Sequence, residues 1–211
     1  MIVARHDIKP DIPVETHPWQ PFIPQQGAEV LFLGTFPPQP RRWAMDFYYP
    51  NPTNDFWRIM GLIFTGDPDA YYIRSTRSYR LDAIKAMLED KRIALADTGA
   101  AIQRLKSNAS DAHLHIVIPI DLPALVAKMP SCRIIATTGE KAATVVASLT
   151  GTAVPAVGAS IDVTIDGRTL RHCRMPSSSR AYPLPIAIKA ETYRSIFDSS
   201  AYDGDHNKNN K

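Results

Sequence analysis

Two continuous apolar segments place the strongest constraint on how this chain can fold. They are EVLFLGTF at residues 29–36 and CRIIATTG at residues 132–139. An apolar run without polar alternation is typical of a strand buried on both faces, as in a parallel sheet covered by helices. Helical patterns follow both, in TNDFWRIMGLIF (53–64) and EKAATVVASLTG (140–151). This order predicts an α/β fold, specifically a three-layer α/β/α sandwich with a mainly parallel central sheet.

The segments between and after these runs fit the same fold class. Residues 80–97 predict a second helix followed by a short strand or turn, and residues 114–119 a strand or an irregular buried segment. Residues 121–129 predict a short helix with Asp121 as its N-terminal cap. The Asp166-Gly167 pair lies between two alternating runs, which is the signal of a β-hairpin.

The organisation of the chain is that of one medium domain, since 211 residues can bury a substantial core and no internal repeat or linker divides them. We predict an irregular, proline-rich N-terminal arm at residues 1–28 and an α/β domain at residues 29–200, with its last helix at 185–199. Residues 201–211 predict a disordered polar tail.

Composition limits the possible cofactors and partners. The formal net charge of +3 is compatible with a polyanionic partner. Cys132 and Cys173 lack the Cys/His spacing of a zinc site, an iron–sulfur cluster or a disulfide scaffold. No segment approaches the roughly 20 apolar residues of a membrane span, and the N-terminal residues lack a secretory apolar run. We therefore expect a cytoplasmic protein with no cofactor, no metal and no membrane segment.

Two loops stand out as candidate ligand-binding elements. One is GTFPPQPRRWAMDFYYPNPTN (34–54), after the first strand, and the other is MPSSSRAYPLP (175–185), after the last. Ligands gather at the carboxyl ends of parallel strands, and helix N-termini attract anions. Facing each other, the two loops could hold a phosphodiester backbone from both sides. The alternative is a pair of ordinary connecting loops.

Three motifs in these loops resemble the uracil-DNA glycosylase superfamily. They are Gly34–Pro38, Tyr48–Met60 and Met175–Ser179, and residues 136–142 resemble that superfamily's central strand and next helix. The resemblance spans residues 29–198 and is closest to the branch related to mismatch-specific uracil and hypoxanthine-DNA glycosylases. It implies a monomeric, metal-free enzyme of base-excision repair whose partner is DNA containing a deaminated base, uracil or hypoxanthine. Such an enzyme flips the base out of the duplex before hydrolysing the N-glycosidic bond.

The resemblance implies that Asn54 is the catalytic residue. Phe36 stands where several branches carry Asp or Asn, and a phenylalanine cannot hold a water molecule. In the hypoxanthine-removing branch the water-positioning role falls on the asparagine just ahead of the Phe-Trp pair, which here is Asn54, two positions before Phe56. The rival interpretation is an N-terminal helix cap, for which Asn is also favoured. Asp46 and Asp55 are alternative water activators, although an exposed loop and a first helical turn explain them more simply.

The same resemblance places base-binding residues in the first motif. Tyr49 falls where mismatch-specific relatives have their base-stacking aromatic residue, while packing of its ring in the core is the alternative. Phe36 would form a second wall of the base pocket or be buried beneath the loop. Gly34 and Thr35 complete the predicted base-binding set.

The second motif is predicted to contact DNA. Its serines can bond phosphate oxygens through hydroxyl and backbone groups, although serines are also common turn residues. Met175 stands where some branches carry His or Asn, and methionine cannot donate a hydrogen bond to the leaving base. Arg180 or Tyr182 would fill the stack that the flipped base leaves. The predicted DNA-binding set is Met175, Pro176, Ser177, Ser178, Ser179 and Arg180.

Three functions remain open at this stage. The first is a monofunctional glycosylase, in which water attacks the sugar, since no lysine lies in either motif. The second is a nucleic-acid-binding protein that has lost catalysis, because Phe36 and Met175 replace two recognisable catalytic groups. The third is a small-molecule enzyme acting on a nucleoside or phosphate ester, although the chain lacks the glycine patterns of nucleotide-binding loops.

Overall fold

The computed structural model describes residues 8–105 and 113–198. The described residues form five α-helices: α1 (Phe56–Phe64), α2 (Leu81–Asp90), α3 (Leu122–Ala127), α4 (Glu140–Thr150) and α5 (Ile186–Arg194). They also form ten β-strands: β1 (Val14–Thr16), β2 (Val30–Gly34), β3 (Tyr72–Ile73), β4 (Ser78–Tyr79), β5 (Ile93–Asp97), β6 (Gly99–Arg104), β7 (Leu114–Pro119), β8 (Ile134–Thr137), β9 (Ser160–Ile165) and β10 (Arg168–Arg174). The polar tail predicted at residues 201–211 lies outside the described residues.

The central sheet has the strand order β5-β2-β8-β10-β9. Its first four strands run parallel to their neighbours, and β9 pairs antiparallel with β10 at the edge. The sheet is therefore mixed, which corrects the prediction of a mainly parallel sheet. The reason is the Asp166-Gly167 turn, in which both residues have positive φ angles of 47° and 78°. Such a turn reverses the chain into an antiparallel hairpin.

A second sheet, with the order β1-β6-β7, is antiparallel throughout. Its edge strand β1 belongs to the segment predicted to be an irregular arm. The same segment makes an isolated antiparallel bridge from Phe22 to Leu95 of the central sheet. The N-terminal segment therefore pairs with both sheets, and this contact brings it close to the carboxyl end of β5.

Side chains of β2 alternate between two hydrophobic clusters. Val30 and Phe32 pack with residues of α1, α2 and α5, whereas Leu31 and Leu33 pack with residues of α3 and α4. This packing explains why the segment is apolar at every position, since a strand buried on both faces has no solvent-exposed side. The three-layer sandwich itself stays a prediction.

Helix boundaries follow the local sequence signals. The Asp121 carboxylate accepts a hydrogen bond of 3.0 Å from the Ala124 backbone N–H, which confirms its predicted capping role. Gly151 caps the C-terminus of helix α4 with a left-handed φ of 67°, a conformation that glycine adopts readily. Helix α5 is shorter than the predicted 185–199. Within the described ranges, none of the helices combines the length and the apolar character needed to cross a membrane.

We expect the stability of the fold to decrease in acid because of His172 in β10. The side chain is fully buried, with Nε2 3.0 Å from the Thr137 hydroxyl, and Nδ1 has no hydrogen-bond partner in the described structure. Burial lowers the pKa of His172 from its ordinary value of 6.5 to about 4. Between these values the unfolded chain binds a proton that the folded chain does not, so the free energy of unfolding falls as the pH falls.

Urea unfolding at a series of pH values from 7 to 4 measures this effect. The variant His172→Gln is expected to lose less stability than the wild type over that range, because it carries no ionisable group at this position. Equal pH dependence in the two proteins would show that His172 does not contribute to it.

Candidate active-site cleft

A cleft of about 1180 Å³ lies at the carboxyl ends of the four parallel strands. Its walls include residues that follow β2, β8 and β10 and the last residue of β5, represented by Phe36, Thr138, Ser177 and Asp97. The continuous apolar strands thus end together at one edge of the sheet, where polar loop residues meet. This is the edge at which parallel α/β folds place their ligands.

The two predicted loops are joined directly at this cleft. The Asp55 backbone N–H donates a 2.8 Å hydrogen bond to the Ser178 carbonyl. Asn54 and Ser179 form an isolated antiparallel bridge beside it. Two motifs separated by more than a hundred residues in sequence therefore form one wall, which includes Asn54 and Ser177–Ser179.

Asn54 is half-buried and lines the cleft at the start of α1. Its Oδ1 accepts a 2.9 Å hydrogen bond from the Phe56 backbone N–H, as a capping residue would. The Nδ2 group makes no hydrogen bond to any described residue. Because an amide oxygen has two lone pairs, Oδ1 retains a second acceptor position. Capping and contact with a substrate or water are therefore compatible.

Tyr49 lines the same cleft from an unusual backbone conformation. Its φ is 51°, which is rare for a bulky side chain and is found where surrounding contacts enforce it. The ring stacks on Phe56 with a centroid distance of 3.8 Å and an interplanar angle of 10°. The hydroxyl lies 3.0 Å from the Thr138 Oγ1. One face of the Tyr49 ring is thus occupied by the core, and a base would have to stack on the other.

Phe36 also lines the cleft, although most of its ring is buried. The ring meets the His17 imidazole edge-on at 5.3 Å, and the Arg104 guanidinium lies 5.9 Å from its centre. Gly34 and Thr35 are buried beneath the wall and do not line it. The Thr35 carbonyl instead accepts a 3.0 Å hydrogen bond from the Gly99 backbone N–H, which ties the residue after β2 to the start of β6.

Gly34 makes room for a carboxylate. A methyl group at this position would lie 2.3 Å from Asp97 Oδ1 and 3.3 Å from the Tyr49 hydroxyl oxygen. Asp97 is the last residue of β5, lines the cleft and is mostly buried. Its other oxygen, Oδ2, lies 2.9 Å from His17 Nε2. The base of the cleft therefore holds a buried His–Asp pair next to Tyr49.

We expect Gly34→Ala to lower the free energy of unfolding by about 1–3 kcal/mol, because the methyl group and Asp97 cannot occupy the same space. Urea unfolding measures the change. The same substitution in an Asp97→Ala background is the control, and there the cost should be smaller. An equal cost in both backgrounds would show that the two side chains do not compete.

A second cluster of charges surrounds the Asp55 carboxylate beneath the serine loop. Its oxygens lie 2.8 Å from Arg180 Nε, 3.2 Å from Arg58 and 3.7 Å from Lys189 Nζ. Lys189 is almost completely buried and donates a 2.8 Å hydrogen bond to the Ser179 carbonyl. Burial lowers the pKa of Lys189, while Asp55 opposes that shift. The cluster connects α1, α5 and the second motif.

Only part of the second motif lines the cleft. Met175 is buried in the core and Pro176 does not line the cleft, whereas Ser177–Arg180 do, with Ser178 only 2% exposed. The serine hydroxyls accept local hydrogen bonds, Ser177 from Ser179 and Ser179 from Ala181. Their turn-forming role is thus visible. The described residues contain no group of three or more His, Cys, Asp or Glu side chains arranged to hold a metal ion.

Comparisons with known proteins bear on the fold. No family model and no curated protein matches the chain. A similar solved structure is the NMR structure of a Methanosarcina acetivorans protein described as a "putative Uracil DNA glycosylase". The two chains are 20% identical, and the similarity covers 88% of this chain and 99% of that one, with a TM-score of 0.57. This similarity shows that the two chains share a fold, and the shared fold confirms the predicted α/β class.

Sequence reasoning missed one residue that lines the cleft, Asp97, and the residue that contacts it from behind, His17. Asp97 had a signal, because it ends the run IALAD and so falls at the carboxyl end of a predicted strand. His17 had none, since it is a single histidine in a proline-rich segment. Asp46, a rival water activator, does not line the cleft and instead accepts a 2.7 Å hydrogen bond from Trp19 Nε1.

Proposed function

We propose that this protein is a monofunctional DNA glycosylase that hydrolyses the N-glycosidic bond of a deaminated base, uracil or hypoxanthine, in base-excision repair. The observation that carries the proposal is the joining of the two motif loops at Asn54 and Ser179 along one wall of the cleft. The motifs resemble the mismatch-specific uracil and hypoxanthine branch of the superfamily, and the fold is shared with a protein described as such an enzyme. The partner is DNA, bound by a monomer without metal or cofactor.

Each residue set then has a role. Tyr49 stacks on the flipped base with the ring face opposite Phe56, a contact worth about 1–3 kcal/mol. Asn54 positions the attacking water through the second acceptor position of Oδ1 or through Nδ2. The residues of the second motif that line the cleft, Ser177–Ser179 and Arg180, contact the phosphates that flank the flipped nucleotide.

The reaction has an oxocarbenium-like transition state, with negative charge leaving on the base. Water forms the new bond to the sugar carbon as the bond to the base nitrogen breaks. The electron pair of that bond leaves with the base, and the proton lost by the water ends on the base, so the products are the sugar hydroxyl and the neutral free base. Met175 is buried and cannot donate a hydrogen bond, so hydrogen-bond donors other than Met175 must stabilise the leaving base. Backbone N–H groups of the loops are the candidates.

The dimensions and charge of the cleft favour a polymer over a small molecule. Its volume of about 1180 Å³ exceeds the 300–1,000 Å³ typical of small-ligand pockets. Four cationic side chains line it, those of Arg42, Arg104, Lys141 and Arg180, against two carboxylates, those of Asp97 and Glu140. A nucleotide would fill part of this volume, and its flanking phosphates would pair with the cationic side chains. Binding that weakens steeply with rising salt would support this choice over a nucleoside substrate.

Alkali cleavage of labelled oligonucleotides tests the proposed function. The substrates contain uracil, hypoxanthine or xanthine, each in duplex and single-stranded form. The wild type is expected to create alkali-labile sites at uracil or hypoxanthine. No such site at any of these bases would contradict the proposal.

One observation favours a second candidate, a DNA-binding protein without catalytic activity. Phe36 and Met175 are apolar and buried at positions where the superfamily carries catalytic polar groups. Retained salt-dependent binding of duplex DNA together with absent base release would identify this function.

A further inference from the structure

The His17–Asp97 pair is fixed by the N-terminal segment. The His17 backbone N–H donates a 2.9 Å hydrogen bond to the Ala100 carbonyl. Its imidazole lies edge-on to Phe36 at 5.3 Å and stacks on Tyr48 at 5.7 Å. Nδ1 lies 2.8 Å from the Trp19 carbonyl oxygen. These contacts set the orientation of the ring and direct Nε2 towards Asp97 Oδ2, 2.9 Å away.

The two oxygens of Asp97 consequently have different surroundings. Oδ2 accepts from His17, whereas Oδ1 lies over Gly34, close to the position that a Cβ atom would occupy. The Tyr49 hydroxyl lies on the same side, 3.3 Å from that position. The side chain of Asp97 is only 8% exposed, so a ligand that reaches it must leave bulk water. Such a site demands a hydrogen-bond donor from its ligand.

Deamination supplies that donor. The ring nitrogen next to the exocyclic group is a hydrogen-bond acceptor in cytosine (N3) and adenine (N1). In uracil and hypoxanthine the same nitrogen carries a hydrogen and is a donor. A buried carboxylate oxygen therefore accepts from the deaminated base but meets a lone pair on its parent, which leaves two buried acceptors unpaired.

We propose that His17 holds Asp97 as the acceptor that recognises the N–H edge of a deaminated base. The inference rests on the proposed function, and it makes the N-terminal segment part of the site. Asp97 touches the base and determines specificity. His17 is a positioning residue. Its Nε2 group donates a hydrogen bond to Oδ2 of Asp97, so Oδ1 is the oxygen that faces the substrate. The contact does not distinguish uracil from thymine, since both carry N3–H.

Binding of free bases to the full-length protein tests the inference independently of catalysis. NMR titrations with uracil, hypoxanthine, cytosine and adenine measure the preference of the wild type for each deaminated base over its parent. Asp97→Asn is expected to reduce that preference about tenfold or more, because His17 Nε2–H would hold the amide oxygen and the amide NH2, a donor, would then face the base. Equal binding of uracil and cytosine to the wild type, or no detectable binding of any base, would overturn the inference.

The role of His17 is tested with three variants. His17→Ala should reduce the preference as Asp97→Asn does. His17→Gln should restore it, because the glutamine amide reaches the position of Nε2, whereas the shorter His17→Asn should not. An unchanged preference in His17→Ala would overturn the positioning role, and so would equal values for the Gln and Asn variants.

The two proposals fail in distinguishable ways. If the wild type releases no base from DNA but still prefers free uracil to cytosine through Asp97, the glycosylase function is wrong and the proposed contact between Asp97 and the base is supported. If the wild type releases uracil and Asp97→Asn retains the full preference over cytosine, the function stands and this inference is wrong.

Discussion

Replacement of Asn54 by alanine is expected to slow base release at least about 100-fold, since a group that positions the attacking water commonly contributes 10²–10⁴. The substitution removes the second acceptor position of Oδ1. It also removes the Nδ2 group, which makes no hydrogen bond to any described residue. Single-turnover excision from an oligonucleotide measures the rate. Affinity for the same DNA should change little, because the predicted phosphate contacts lie in the second motif.

Two further variants separate catalysis from helix capping. Asn54→Ala also removes the hydrogen bond to Phe56, which is worth about 1 kcal/mol of stability. Asn54→Ser keeps a capping side chain and should restore stability without restoring the rate. Asn51→Ala is the matched control, since Asn51 lines the same cleft and accepts from Thr53 as Asn54 does from Phe56. A wild-type rate in Asn54→Ala would show that the residue is only a cap.

Replacement of Asp55 by alanine is expected to lower the free energy of unfolding by about 3–5 kcal/mol, the cost of leaving a buried charge unpaired. Lys189 is 1% exposed, and its ammonium group would lose the carboxylate 3.7 Å away. The Ser179 carbonyl would remain its sole hydrogen-bond acceptor in the described structure. Urea unfolding monitored by circular dichroism measures the difference.

The control for this prediction is Asp69→Ala. Asp69 also pairs with arginine side chains but is 30% exposed, so its loss should cost less than about 1 kcal/mol. In the double variant Asp55→Ala/Lys189→Met both buried charges are absent, and part of the lost stability should return. Equal costs for the two single aspartate variants would contradict a special role for the buried cluster.

Elements with strong local signals were predictable from the sequence. The runs that became β2 and β8 are apolar because both faces are buried, and Asp121 and Gly151 mark helix ends through side-chain and backbone conformations of their own. Strands β1 and β6 were not predicted. They stabilise each other across about 85 residues of sequence, and neither carries a run that identifies it alone.

The candidate site was predictable to the extent that it lies in compact motifs. Asn54, Tyr49 and the serines fall in such motifs, and the structure brings them to one cleft. The burial of Met175 and the absence of Gly34 and Thr35 from the wall depend on how the strands end, which a motif does not encode. The His17–Asp97 contact joins residues 80 positions apart, and only the folded chain makes it evident.

The most direct test of the central claim is the chemical identity of the product. The wild type is incubated with duplex DNA containing uracil or hypoxanthine, and the reaction is analysed by mass spectrometry before any alkali is added. Our account predicts free base and an equal amount of abasic DNA with an unbroken sugar–phosphate backbone. Absence of free base in the presence of bound DNA, or a backbone broken without base release, would contradict it.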